Sequence, residues 1–234
     1  MKMKIQSSTT IRFVAGIFAA LVLLASAAYA GPPLICHQID IGKAKSLPWI
    51  SHDWNLSGGE TYDTKNLTRD TLAILDSNPP VLVRMETLRR ATLYARRDPQ
   101  AAKELLTKLY ARASSADPSG RSDALAWFDA GYLAESYKQW IGKEENNPAA
   151  GLDGYSWVKK AISLRGEDPQ MEFAAALITL SGPQDAHREH VEKAIAGAKS
   201  DPLLAQNLST RFMGSQSPTM AEMFAKTPSS KKSE

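Results

Sequence analysis

The chain has 234 residues, and its 28 lysines and arginines outnumber its 25 aspartates and glutamates by three. All three of the surplus basic residues lie in the first 30 residues, so the remainder is formally neutral. This balance gives no indication of binding to nucleic acid or to an acidic membrane surface. The single cysteine excludes an internal disulfide, so packing must stabilise the roughly 200 remaining residues.

Residues 1–30 have the layout of a secretory signal peptide. Three basic residues precede a short apolar run, which ends at Ala28-Tyr29-Ala30 with the small residues that signal peptidase recognises. We therefore predict cleavage after Ala30 and a periplasmic or secreted mature protein. The alternative is an uncleaved membrane anchor, because the run approaches the roughly 18–20 residues that span a bilayer.

Residues 31–65 contain three prolines and the Gly58-Gly59 pair, and no helical period runs through them. Such a stretch is typical of irregular structure. It is too rich in leucine, isoleucine and tryptophan for a free tail, so we expect an irregular N-terminal arm that packs against the first helices.

Three residues of this arm, Cys36, His37 and His52, are weak candidates for metal ligands. Thiolate and imidazole groups bind zinc and copper well, but the spacing here matches no standard metal motif. A metal-dependent or thiol-dependent function of the arm around Cys36-His37 is our second hypothesis. The main prediction contains no cofactor and no metal.

From Asn66 to Met213 the apolar residues recur at steps of three and four in eight segments with short connections. This period is typical of amphipathic helices, and no segment alternates with the period of two expected of a strand. The sequence therefore predicts an all-α helical domain over residues 66–213. Residues 214–234 are polar and are predicted to be a mostly disordered tail.

Aspartate–proline pairs punctuate the helical segments. Aspartate is a good N-cap and proline is tolerated at the first helical position, so each pair is expected to begin a helix. At three of the pairs, an alanine that follows a basic residue lies eight residues before the proline, and these alanines are 70 and 33 residues apart. The pairs are Asp98-Pro99, Asp117-Pro118, Asp168-Pro169 and Asp201-Pro202.

A period near 34 built from two helices resembles the tetratricopeptide repeat. The best match is "AWFDAGYLAESY" followed by "WVKKAISL", with Trp127, Gly131 and Ala161 at the aromatic and small-residue positions. The resemblance implies a right-handed α-solenoid of antiparallel helix pairs over about residues 80–213. Two departures from the repeat pattern are present. The prolines that end the repeats, Pro169 and Pro202, come about three residues later than in the pattern, and residues 142–151 lengthen the turn between two helices of one repeat. An ordinary helical bundle is the alternative.

The resemblance also implies a non-enzymatic module that binds a peptide or a partner protein on the concave face of the first helices. Phe128, Tyr132 and Glu135 would lie on that face, one turn apart. Arg89 and Arg96 would anchor a charged end of the partner. The alternative for the arginines is a solvated helix side, flanked by acidic neighbours.

No catalytic motif stands out elsewhere in the chain. His187 and His190 lie three residues apart, but "HREH" is neither His-Glu-x-x-His nor its inverted form, so a solvated helix face is expected. Serine-hydrolase, phosphate-binding and dinucleotide-binding patterns are absent from the sequence. An enzyme on an all-helical scaffold would have no candidate nucleophile, and we predict that the protein is not an enzyme.

Overall fold

The chain folds into α-helices in the segments where apolar residues recur at steps of three and four. The computed structural model of the protein describes residues 31–49, 61–116, 123–141 and 147–212, and within them it contains eight α-helices and no strand, which confirms the all-α prediction. A 3-10 turn, Thr64–Asn66, leads into the first helix. The helices are α1 Leu67–Asp76, α2 Val81–Ala95, α3 Pro99–Ala116, α4 Ala124–Trp140, α5 Gly154–Arg165, α6 Pro169–Ile178, α7 Gln184–Ala198 and α8 Pro202–Phe212.

Several predictions fall outside the described residues. These are the signal peptide with its cut after Ala30, the histidine His52, the pair Asp117-Pro118 and the tail 214–234. Within the described ranges, no helix combines the length and the apolar character that a bilayer crossing needs.

Aspartates begin three of the helices as the sequence predicts. The carboxylates of Asp98, Asp168 and Asp201 accept hydrogen bonds, 3.0 to 3.2 Å long, from backbone N–H groups in the first turns of α3, α6 and α8. These bonds satisfy donors that the helix itself leaves unpaired. The capping role is therefore confirmed for the three aspartate–proline pairs that the structure describes.

One glutamine ties three helix starts together. The Gln170 amide nitrogen donates to the Asp201 carboxylate at 2.6 Å, and its oxygen accepts from the Leu82 N–H at 3.0 Å. The beginnings of α2, α6 and α8 are consequently linked by a single side chain. This places the three N-terminal turns next to one another.

Helices α4 and α5 form a closely packed antiparallel pair. The rings of Trp127 and Trp157 lie 6.2 Å apart, and at the other end Lys138 donates to the Leu152 carbonyl. Between these contacts, a Cβ atom built on Gly131 would lie 2.6 Å from the carbonyl oxygen of Gly154. Gly131 therefore permits the close helix approach that its position predicts.

Helices α6 and α7 form a second antiparallel pair, in which Gly197 contacts the ring of Pro169. Helix α2 packs against α4 and also touches α6, while α8 packs on α7. The described residues from Pro32 onward belong to one compact unit. Its core combines buried side chains from these helices with four aliphatic residues of the preceding chain: Leu34, Ile35, Ile39 and Leu47, each at most 2% exposed.

Residues 32–49, which we call the covering segment, supply those four aliphatic residues. They form turns and bends without a helix or a strand. Short turns satisfy some of their backbone polar groups, and side chains of the helices bond to many of the others.

Substitution of Gly131 by alanine is expected to destabilise the fold by about 1–3 kcal/mol, because the new methyl group meets backbone atoms of α5 that cannot turn aside. Gly182→Ala is the matched control. A Cβ atom built on Gly182 would lie 3.4 Å from its nearest neighbour, the Thr179 carbonyl oxygen, which is an ordinary van der Waals contact. Urea unfolding of both variants measures the difference. Equal midpoints would show that α4 and α5 are not held this closely.

Candidate functional site

The covering segment lies against one face of α2, α4 and α8. We call this the inner face and define it by the side chains that bond to the segment's main chain: Glu86, Arg89, Arg90, Tyr94, Gln139, Asn207 and Arg211. All seven come from helices, and they bind groups that any peptide offers. The inner face thus holds a non-helical segment mainly through its backbone.

A buried charge cluster forms the α2 part of the inner face. Glu86 and Arg89 are both fully buried. The Arg89 guanidinium donates two hydrogen bonds, 2.8 and 3.0 Å long, to the Glu86 carboxylate. Arg90 adds a bond of 2.7 Å to the same carboxylate. The cluster reaches the covering segment because Glu86 accepts from the Ile39 N–H at 2.9 Å and Arg89 donates to the Ile35 carbonyl at 3.0 Å.

Helix α8 also holds the segment, through two side chains that lie one helical turn apart. The Asn207 side chain accepts from the Asp40 N–H at 2.8 Å and donates to the Asp40 carbonyl at 2.9 Å. Arg211 donates to the carbonyls of Pro33 and His37 at 2.9 and 2.6 Å. Both side chains bond to backbone atoms of the segment, and the segment adds a side-chain contact of its own, in which the Ser46 hydroxyl lies 2.9 Å from the Thr87 hydroxyl.

The aromatic residues predicted to bind a partner lie in the core. Phe128 and Tyr132 are fully buried and their rings stack at 5.6 Å. Burial raises the pKa of Tyr132. The charges of Arg211, Glu86 and Arg89, three residues of the inner face, are close enough to affect this pKa as well. The expectation that these two residues lie open to a partner is wrong, because the period within one helix does not reveal what packs against its faces.

The other predicted partner-binding residues are dispersed. Arg89 is buried against Glu86, so neither the open anchor nor the solvated helix side describes it. Glu135 pairs with Lys138 and accepts from the Tyr155 N–H at 2.9 Å, which holds the start of α5. Only Arg96 is exposed, and its guanidinium lies 4.6 Å above the Trp140 ring.

The weak metal candidates do not assemble in the described residues. Cys36 is buried, and desolvation raises the pKa of its thiol, which favours the protonated form over the thiolate that binds metals. His37 is exposed, and partial desolvation with the charges of Arg211 and Arg89 lowers its pKa. The described residues contain no group of three or more potential ligands arranged for a metal ion.

The two histidines of α7 join helices instead of facing solvent, which corrects the prediction. His190 is 8% exposed; its Nδ1 lies 2.5 Å from the Glu172 carboxylate and its Nε2 lies 2.8 Å from the Tyr155 hydroxyl. His187 Nδ1 lies 3.0 Å from the Ala176 carbonyl. Glu172 is a buried carboxylate on α6, so the contact links α5, α6 and α7 through polar groups.

An open groove of about 670 Å³ lies between α3 and α5. Both helices pack against α4, and the space between them remains uncovered by the described residues. The wall from α3 consists of side chains at successive helical turns, and the facing wall comes from α5 and the loop before it. The described lining is Pro99, Gln100, Lys103, Leu106, Thr107, Tyr110, Asn147, Pro148, Leu152 and Trp157.

Aromatic rings dominate one end of this groove. Tyr110 is 44% exposed and lies 5.0 Å from Trp157, with the two rings tilted by 33°. Trp127 meets both rings edge-on at 6.2 Å, and the Lys160 amino group sits 3.8 Å above Trp127. A groove of this size with an aromatic wall falls in the range that accommodates a small ligand or a few peptide residues.

One feature of the sequence that relates to this groove is the spacing of residues along α3. Lys103, Leu106 and Tyr110 follow the helical steps of three and four, which places them on one side of α3. Which side of an amphipathic helix stays uncovered depends on its neighbours. Loop residues such as Pro148 complete the groove from a part of the chain without periodicity.

Comparison of the chain with family models, with curated proteins and with solved structures finds no match.

Tyr132 provides a direct test of its place in the core. Tyr132→Ala should lower the free energy of unfolding by about 3–5 kcal/mol, since a fully buried ring leaves a cavity. Tyr132→Phe should leave stability unchanged or raise it, because the hydroxyl is buried without a hydrogen-bond partner among the described residues. Urea denaturation of the two variants checks both expectations. If Tyr132→Ala left the free energy of unfolding unchanged, the ring could not be part of the core.

Glu86→Gln tests the charge cluster of the inner face. Removing one partner of a buried ion pair leaves Arg89 uncompensated, so a loss of about 3–5 kcal/mol is expected, together with faster alkylation of Cys36 as the covering segment loosens. Arg69→Ala is the control, because Arg69 pairs with Asp70 at the surface and contributes at most about 1 kcal/mol. If both variants behave alike, the cluster does not hold the segment.

Proposed function

We propose that the protein is an exported, non-enzymatic interaction module that binds a peptide segment of a partner protein in the groove between α3 and α5. The observation that carries the proposal is the half-exposed Tyr110, stacked on Trp157 at the end of an open groove. Large aromatic side chains contribute most of the binding energy at many protein interfaces. Arg89, one of the residues expected from the sequence to bind a partner, belongs to the inner face, and the covering segment occupies that face.

The lining of the groove favours an extended peptide that carries proline and a carboxylate. Proline-rich segments dock against aromatic walls because their backbone is already extended and loses little entropy on binding. Tyr110 and Trp157 offer such a wall, and Leu106 adds apolar surface. The exposed Lys103 among the lining residues complements an acidic side chain.

We further propose that α4 to α7 are two successive units of a tetratricopeptide-like stack. Support comes from the two antiparallel pairs, α4–α5 and α6–α7, and from the aspartate caps Asp168 and Asp201 at the same point of the pattern. The contact between α2 and α6 favours the bundle alternative, since units of a solenoid touch only their neighbours. Export through a cleavable signal peptide is part of the proposal.

The metal or thiol hypothesis gains no support from residues 31–49, the part of the arm nearest Cys36 that the structure describes. Its cysteine is buried and its thiol pKa is raised, while His37 is exposed. A reactive or metal-binding cysteine needs the opposite environment, with a lowered pKa and access to solvent.

The proposal is tested by probing the purified mature chain with an array of short peptides that differ in proline and carboxylate content. Binding should be confined to peptides that combine proline with aspartate or glutamate. Tyr110→Ala should weaken it at least tenfold, which corresponds to about 1.4 kcal/mol. Leu164→Ala is the matched control, because Leu164 is exposed to the same extent, 44%, but does not line the groove.

Two outcomes would contradict the proposal. One is an array on which no peptide binds the wild-type chain. The other is equal binding by the wild-type and Tyr110→Ala proteins, because the aromatic wall would then play no part.

A further inference from the structure

The covering segment is bound as a peptide ligand is bound. Within residues 32–49 its own backbone contacts are confined to two short turns, at Pro32–Cys36 and Ile41–Ala44. Its other main-chain hydrogen bonds run mainly to side chains of α2, α4 and α8 that belong to the inner face, and one runs within the segment, from the Gly42 N–H to the Asp40 carboxylate. Side chains of the helices therefore make most of the hydrogen bonds that hold the segment's backbone.

The inner face supplies both orientation and apolar pockets for this ligand. Gln139 accepts from the Leu34 N–H at 2.8 Å, and Asn207 binds both backbone groups of Asp40. Between these two anchors, Leu34, Ile35 and Ile39 are buried to within 2% of their surface. Main-chain bonds give affinity and side-chain pockets give specificity, which is the division of labour in peptide recognition.

We propose that the inner face is a recognition groove for the covering segment as a separable ligand, and that a second copy of this chain can supply the segment in trans. A second copy is the occupant that the structure identifies, because each copy carries the sequence that these pockets and anchors already fit. Residues 50–60 join the segment to the helices, and a chain of that length reaches at most about 36–40 Å. Exchange of identical segments produces a symmetric dimer in which each copy completes the other's core.

In the wild-type chain the segment in cis competes with the segment in trans. A tethered ligand has an effective concentration of roughly millimolar, so a wild-type solution far below that concentration should be monomeric. Weakening the segment of one copy removes this competition while its inner face stays intact. The exchange then becomes measurable with two complementary variants.

The test mixes two full-length variants. The first, Ile35→Asp with Ile39→Asp, spoils the covering segment and keeps the inner face; the second, Asn207→Leu with Arg211→Leu, spoils the inner face and keeps the segment. The mixture should contain a one-to-one heterodimer by native mass spectrometry, and neither variant alone should form a dimer. A mixture that stays monomeric would overturn the proposal.

Folding of the first variant is followed separately, because its core has lost two aliphatic side chains. A synthetic peptide of residues 32–49 should bind it and raise its thermal midpoint, at least a hundredfold more tightly than it binds the wild-type chain. A peptide with the same two aspartates should not bind. If the variant is unfolded and the native peptide does not restore its helical circular dichroism, the proposal is also overturned.

Tyr110→Ala in the first variant separates this site from the groove between α3 and α5. Binding of the 32–49 peptide should be unchanged, since Tyr110 lies outside the inner face. A parallel loss of peptide binding would show that the segment is recognised in the outer groove and would contradict the assignment to the inner face.

Discussion

The buried pair of Glu86 and Arg89 is the interaction on which the rest of the structure depends. Both side chains are fully removed from solvent, so each needs a complete set of partners to offset desolvation. Arg90 and the backbone of the covering segment provide what the pair itself leaves unsatisfied. The buried charges of helix α2 and the backbone of the segment therefore satisfy each other's hydrogen bonds.

This dependence explains how the protein closes one face and leaves another open. The covering segment fills the inner face with aliphatic side chains, and its polar backbone is satisfied by Gln139, Asn207 and Arg211. No equivalent segment among the described residues lies between α3 and α5. The aromatic wall of Tyr110 and Trp157 remains accessible there, which is why the proposed partner site lies on that side.

The elements that sequence analysis predicted are those determined by local rules. Eight helices follow from apolar residues at steps of three and four, the caps at Asp168 and Asp201 from aspartate–proline chemistry, and the close approach at Gly131 from its missing side chain. Each of these depends on residues near one another in the chain or on the size of a single side chain. Whether a candidate binding residue is exposed depends instead on contacts between parts of the chain that are distant in sequence.

Contacts distant in sequence decided the predictions that failed. Tyr132 has the pattern of a residue on a helix face, and its burial depends on which other parts of the chain pack against that face. The same holds for Arg89, which looks like a surface cation until its glutamate is enclosed, and for His190, whose partner lies on another helix. A period in one helix cannot report what packs against it.

Amide hydrogen exchange at Ile39 and Asp40 tests the central claim most directly, because these N–H groups bond to Glu86 and Asn207. The account predicts protection comparable to that of helix α2 and its simultaneous loss from both amides when Glu86 is replaced by glutamine. Exchange at the rate of an unstructured peptide in the wild-type protein would contradict it, since the segment would then not be held on the helices.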